Sequence, residues 1–388
     1  MKDQLSLVSF LQCSACDKTF SPTSVNTFAS CDTCGKNPII AQYDLLDGLL
    51  RDSIETSERS MWRYARMLPV LENKNIVTIG EGWTPLIHAD RLASAHGFDR
   101  LLIKDESANP TGSFKARGMS MAVSKAKELG IETCIVPTAG NAGGALSAYC
   151  AKAGMKAIVV MPRHTPDAFK QECRYFGAEL IEVEGLISDC TAAVAKIRQK
   201  TNCFDISTMK EPYRLEGKKT MGYEIAEQLG WRLPDVILYP TGGGTGLIGM
   251  WKAFKEMEEL GWIGAKRPRM VAVQSEHCKP IVLSFEGKQK DAGAYVGTAT
   301  YANGLAVPHP FAEKMIMQVL HESEGTALAV SDDEIKASMK EIASLEGLLV
   351  CPEGAALLPA LNRLRQAGEV DAEEEILLLN TGSAYKYL

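Results

Sequence analysis

The sequence predicts an α/β protein, with mainly parallel sheets covered by helices on both faces and a small metal-binding ribbon in front. Three observations carry that expectation. Short apolar runs alternate with segments of helical period through most of the chain. The chain has 388 residues, more than one compact core usually holds, so two or more domains are expected. Two CxxC pairs, Cys13/Cys16 and Cys31/Cys34, stand close together near the start.

Each CxxC turn can point two thiolates at one ion, and two such turns complete a tetrahedral zinc site. Asp17 and Lys18, then Gly35, Lys36 and Asn37, follow the pairs as tight knuckle turns require. Residues 1–45 therefore read as a zinc ribbon. From about Ser53 to Leu71 the pattern is helical, and Glu81 to Leu86 is a turn-rich approach. The run Leu101–Glu106 is a strand, and the helix from Lys115 ends at Gly130. Thr133–Thr138 is a strand and Asn141–Gly154 a helix of small residues. Ala157–Pro162 is a strand, followed by a helix with Thr165 as N-cap and Pro166 at its first position. Strands follow at Ala178–Gly185 and Cys203–Thr208, then at "DVILYPT", "RMVAVQSE", "TALAVS" and "EILLLNT". Ser331 and Glu334 form a capping box.

The totals exclude some classes. Apolar content of 46% and charge of 23% are ordinary for a soluble globular protein. A net charge of −6 gives no electrostatic reason to expect nucleic acid. No apolar run reaches the length of a membrane helix, and the start lacks the pattern of a secretory signal. A cytoplasmic protein without membrane partners is expected. The remaining seven cysteines lie in apolar stretches and read as small buried hydrophobes.

In a parallel sheet the chemistry lies outside the carboxyl ends of the strands. Four such loops stand out. Lys115 follows "NPTGSF"; Ala139–Gly144 reads "AGNAGG"; Thr241–Gly249 reads "TGGGTGLIG"; Thr381–Ser383 reads "TGS". Gly242, Gly243 and Gly244, followed by Thr245 at a helix start, leave backbone N–H groups open to a phosphate. The run is neither GxxxxGK[ST] nor GxGxxG, which disfavours a nucleoside triphosphate or dinucleotide. A monophosphate beside a lysine points to pyridoxal 5'-phosphate, whose aldehyde Lys115 can hold covalently. Asn141 can bond the ring's phenolic oxygen. Thr381 offers a neutral hydroxyl to the ring nitrogen. No histidine occurs in these loops, so a released Lys115 is the proton shuttle.

These motifs, in this order, resemble fold-type-II pyridoxal-phosphate enzymes. With "EGWTPL", "NPTGSFK", "EPYRLEGKKT", "VAVQSE" and "VSDDEI", the chain is similar to the threonine synthase family from about Ser60 to its C-terminus. The ribbon resembles one carried by a subset of that family. The resemblance implies two three-layer αβα domains. Residues 46–118 and 218–388 would form the large one, with 119–217 inserted as the small one. It implies γ-elimination of phosphate from O-phosphohomoserine and β-addition of water, Arg214 as the ligand of the substrate's phosphate, and a homodimer. Ser113 and Thr138 are candidate substrate contacts. Lys218 and Lys219 read as surface charges, Lys218 being a second candidate for the phosphate. Three positions depart from the family pattern. Glu211 stands where Asn is common, so it must point away from a phosphate or the substrate differs; Ala139 replaces a hydroxyl; Ala116 replaces an acid. The loop at Thr138 is also like that of serine and threonine dehydratases. The alternative is therefore another reaction on this scaffold, such as dehydration or a β-replacement like that of cysteate synthase.

Overall fold

The computed structural model describes residues 5–23, 31, 33–35, 37–45, 49–289 and 295–388. Lys36 and residues 46–48, where the large domain was expected to begin, lie outside the described residues. The chain divides into two compact units, residues 1–83 with 109–221 and residues 84–108 with 222–388.

The first unit opens with an antiparallel ribbon in which β1 (Val8–Cys13) lies between β2 (Thr19–Phe20) and β3 (Ile39–Tyr43). Val8, Leu11, Ile39 and Ala41 form its small core. Both knuckles turn through left-handed backbone, at Asp17 (φ 57°) and Gly35 (φ 64°). The segment read as a helix over 53–71 holds only 3₁₀ turns, at Arg51–Ser53 and Met61–Met67, and Tyr64 breaks helical geometry. Ser60 caps the second turn by accepting from the Trp62 N–H, and local hydroxyl bonding of this kind competes with a longer helix.

A four-stranded, wholly parallel sheet follows, in the order β8 (Glu179–Val183), β7 (Lys156–Pro162), β6 (Thr133–Pro137), β9 (Phe204–Asp205). Its helices are α2 (Lys115–Glu128), α3 (Asn141–Ala153), α4 (Asp167–Tyr175) and α5 (Ile187–Arg198). Ile135, Ile158, Val160, Cys190 and Val194 pack one face. α4 begins one residue later than expected. Pro166 sits at the N-cap, and the Thr165 hydroxyl bonds nothing among the described residues.

Glu81 is fully buried and ties this unit together. Its carboxylate accepts from Trp62 Nε1 (2.9 Å), Thr78 Oγ1 (3.1 Å), the Ile79 N–H (3.0 Å) and Tyr149 Oη on α3 (2.6 Å). A buried carboxylate is tolerated because both of its oxygens accept hydrogen bonds.

The second unit is built on a six-stranded sheet, in the order β12 (Thr326–Val330), β11 (Arg269–Ser275), β10 (Val236–Pro240), β13 (Glu375–Asn380), β5 (Arg100–Asp105), β4 (Leu86–His88). Five strands are parallel, and β4 is an antiparallel edge. The order runs outward from β10 to β11 and β12 on one side, while β13 inserts between β10 and β5 on the other. That is a topological switch point, where the loops leaving β10 and β13 meet. The second unit also holds α1 (Asp90–His96), α8 (Pro280–Phe285) and α9 (Glu313–Glu322), and the capping box at Ser331 and Glu334 starts α10 (Asp332–Glu346) as the sequence requires. All seven scattered cysteines are buried. No helix among the described residues is long and apolar enough to cross a membrane.

Candidate active site

In the second unit, Gly242 and Gly243 turn the chain from β10 into α7 (Thr245–Glu259), with Gly244 as its N-cap. Two positions demand glycine. A Cβ on Gly242 would stand 2.3 Å from the Gly304 carbonyl oxygen. Gly244 has φ +71°, a backbone that side chains rarely adopt. The loop therefore presents bare amides at a helix N-terminus, with the Thr245 hydroxyl beside them, and this cradle fits a phosphate monoester. Glu353 braces it from behind, accepting from the Gly304 N–H (2.7 Å) and from Tyr387 Oη (2.9 Å). Thr381, 6% exposed, directly follows β13, the strand paired with β10.

In the first unit, Lys115 is the first residue of α2, with Phe114 as N-cap. The chain reaches it through Thr111 at φ +61° and Gly112 at φ +64°. A non-glycine residue in that region stores about 1–3 kcal/mol, and such strain concentrates where a side chain must be aimed. Ser113 is fully buried, and its hydroxyl has no partner among the described residues. Next to a lysine, such a hydroxyl suits a ligand. Asn141 opens α3. Thr138 folds its own loop: its Oγ1 accepts from the Gly140 N–H at 3.1 Å.

Arg214 lies at the start of α6 (Tyr213–Gln228) and is buried. Its Nη1 donates to the Ile206 carbonyl (2.7 Å) and Thr208 Oγ1 (3.4 Å), and its Nε bonds nothing among the described residues. The guanidinium is thus fixed at one end and has an N–H to spare. Glu211 is turned to the helix itself. Its Oε2 accepts the N–H groups of Tyr213 (2.7 Å) and Arg214 (3.0 Å), so it caps α6. Burial pushes its carboxyl up to about 7, against the opposing pull of Arg214 and those two amides.

That shift has a testable consequence. The folded chain holds the Glu211 proton more tightly than the unfolded chain does. The resulting stability is complete below the unfolded pKa and is lost as pH rises through about 7. Between about pH 6 and pH 8 the wild type is expected to lose about 1.4 kcal/mol relative to Glu211→Gln. Urea unfolding at both pH values checks this, and parallel curves for the two proteins would contradict it.

Two lysines depart from expectation. Lys218 and Lys219, read as surface charges, are both fully buried. Lys219 pairs with Glu216 at 2.7 Å and lies over the Tyr43 ring at 3.8 Å. Lys218 Nζ sits 3.4 Å from the centroid of the Phe114 ring, and Lys115 Nζ lies 4.2 Å from the same centroid. The one signal in the sequence was spacing: Lys218 follows Arg214 by one helical turn, so the two share a face. Arg117, also fully buried, donates to Thr220 Oγ1 at 3.0 Å. The first unit thus gathers several cations around the start of α2.

In the ribbon, the Sγ atoms of Cys13 and Cys34 are 3.4 Å apart, as are those of Cys16 and Cys31, and all four lie within 4.8 Å of one another. Tetrahedral zinc with bonds of about 2.3 Å needs sulfur pairs of similar spacing, so these residues fit a metal ion.

The profile of a family described as pyridoxal-phosphate dependent enzymes matches residues 77–382. The chain is 34% identical over 377 residues to a threonine synthase of Methanocaldococcus jannaschii, covering 97% of this chain and 92% of that one. The chain belongs to the threonine synthase family of pyridoxal-phosphate-dependent enzymes. A threonine synthase of Methanosarcina acetivorans is 35% identical over 378 residues, covering 97% and 92%. Among solved structures, maize serine racemase superposes with a TM-score of 0.65 at 21% identity, covering 78% of this chain and 88% of that one. This is the fold-type-II architecture that the four loops implied, and this family member carries the cysteine ribbon ahead of it.

Proposed function

We propose that this chain converts O-phosphohomoserine and water into L-threonine and phosphate. The observation that carries the reading is the similarity to threonine synthases over 97% of the chain, which includes Lys115, the glycine loop and Arg214. When bound, pyridoxal phosphate supplies the electron sink for negative charge at the substrate's α carbon. Lys115 Nζ would hold the cofactor covalently, and as a free amine it would carry protons to and from the substrate. Gly242, Gly243, Gly244 and Thr245 hold the cofactor's phosphate, Asn141 its phenolic oxygen and Thr381 its ring nitrogen. Arg214 grips the leaving phosphate with parallel N–H bonds, and Ser113 and Thr138 contact the substrate. The C–O bond at the γ carbon breaks with its electron pair going to phosphate; a proton leaves the β carbon and a proton is added at the γ carbon, and water's hydroxyl bonds the β carbon while its other proton ends on phosphate.

Residues 119–217, which hold the whole four-stranded sheet, are the small domain in this reading; 46–118 and 218–388 are the large one. The enzyme works in the cytoplasm as a homodimer. Incubation with O-phosphohomoserine, O-phosphoserine and threonine, each alone, tests the assignment. Threonine and phosphate from the first are expected. Formation of 2-oxobutanoate from threonine, with no phosphate released from O-phosphohomoserine, would make the chain a dehydratase instead.

Cys13, Cys16, Cys31 and Cys34 hold structural zinc. The purified protein should carry one equivalent per chain by elemental analysis, and the double variant Cys16→Ser/Cys34→Ser should carry less than a tenth of that. Equal zinc in both would refute the site.

A further inference from the structure

We propose that Cys351 is a positioning residue for Thr381: its buried side chain holds the Thr381 hydroxyl in place for the ring nitrogen of the cofactor. The proposal rests on the reading of Thr381 as the partner of that nitrogen. By sequence Cys351 is one packing cysteine among seven; its surroundings are polar. Asp105 and Asn380 end the paired strands β5 and β13 and stand opposite each other in register. Asn380 Nδ2 donates to Asp105 Oδ1 at 2.7 Å, which turns the amide oxygen the other way. That oxygen accepts the Cys351 N–H at 3.2 Å and lies 3.4 Å from its Sγ. The same sulfur accepts from the Gly354 N–H at 3.4 Å, capping the short helix α11 (Pro352–Ala355), and stands 3.6 Å from Thr381 Oγ1.

The thiol is therefore held from three sides. The strand pair fixes Asn380, Asn380 and α11 fix the sulfur, and the sulfur meets the hydroxyl. Asn380, Cys351 and Thr381 are 4%, 1% and 6% exposed, so bulk water does not compete for these bonds. Burial and the neighbouring Glu353 carboxylate push the thiol's pKa up, so it keeps its proton, and donating that proton to Thr381 Oγ1 leaves the hydroxyl hydrogen for the ring nitrogen. A threonine hydroxyl rotates freely about its C–O bond, and a ring nitrogen needs it at one angle. A neighbour that accepts or donates on the far side narrows that choice.

The test uses the holoenzyme and two readouts besides turnover. One is the rate at which pyridoxal phosphate leaves the protein during a chase; the other is the pH midpoint of the bound cofactor's visible absorption. Cys351→Ala is expected to speed release about tenfold, the size of one buried hydrogen bond, and to move the midpoint. Cys351→Ser, which restores a polar hydrogen, should return release to within about threefold of wild type. If the serine variant behaves like alanine, the residue only fills space and the proposal is wrong. It is equally wrong if Cys351→Ala leaves both readouts unchanged while Thr381→Ala alters both. If Thr381→Ala also changes neither, the reading of Thr381 itself has failed.

Discussion

Replacing Lys115 with alanine is expected to lower turnover of O-phosphohomoserine by at least about 10³-fold, because both the covalent anchor and the proton carrier are lost. Borohydride reduction of the wild type should fix pyridoxal phosphate to the tryptic peptide that contains Lys115; the variant should fix none. The side chain is half-buried at a helix start, so unfolding should shift by no more than about 1 kcal/mol. The backbone argues for the same residue. The left-handed turn at Thr111 and Gly112 swings the chain from β5 into α2, with Lys115 as the first residue the helix presents. Lys115→Arg separates anchoring from charge. It keeps the cation but cannot be released as a neutral amine, so it should be as inactive as alanine. Activity above about a tenth of wild type in either variant, or label on another lysine such as Lys218, would overturn the assignment.

The elements that show plainly in the sequence are those with local causes. Gly154 ends α3 in the left-handed conformation, Ser331 and Glu334 box the start of α10, and the glycines after β10 leave no side chain to collide with Gly304. Each is set within a few residues or by the bare backbone. The four candidate loops were legible for the same reason, since each follows an apolar strand and opens a helix. The misreadings have causes that residue type and spacing do not display. A lysine is ordinarily solvated, yet Lys218 and Lys219 are buried against Phe114 and Tyr43, rings far away in the sequence, with Glu216 one helical turn before Lys219 pairing its charge. Glu211 looked like a misplaced charge near a phosphate because its role as a cap appears only when α6 starts at Tyr213. The segment 53–71 has helical spacing, but Ser60 and Tyr64 divert it into short turns. The bond between Cys351 and Thr381 spans 30 residues, and no periodicity in the sequence encodes it.

Arg214 carries the second large effect. Loss of a buried, charge-assisted contact to a phosphate dianion costs about 3–4 kcal/mol, so Arg214→Gln should reduce kcat/KM for O-phosphohomoserine by about 10²- to 10³-fold. Arg214→Lys keeps the charge but loses the fork, and should recover only about a tenth of the wild-type value. The guanidinium also ties α6 to the Ile206 carbonyl, so a loss of activity could come from a displaced helix. Exchange of the α proton of L-threonine in deuterated water separates the two causes. That reaction uses Lys115 and the cofactor but involves no substrate phosphate. With Arg214 bound to the leaving group, Arg214→Gln exchanges threonine at close to the wild-type rate while phosphate release collapses. If exchange falls by the same factor, the arginine serves the fold of the first unit, and the leaving phosphate must be held by another cation near α2, with Lys218 the first to test.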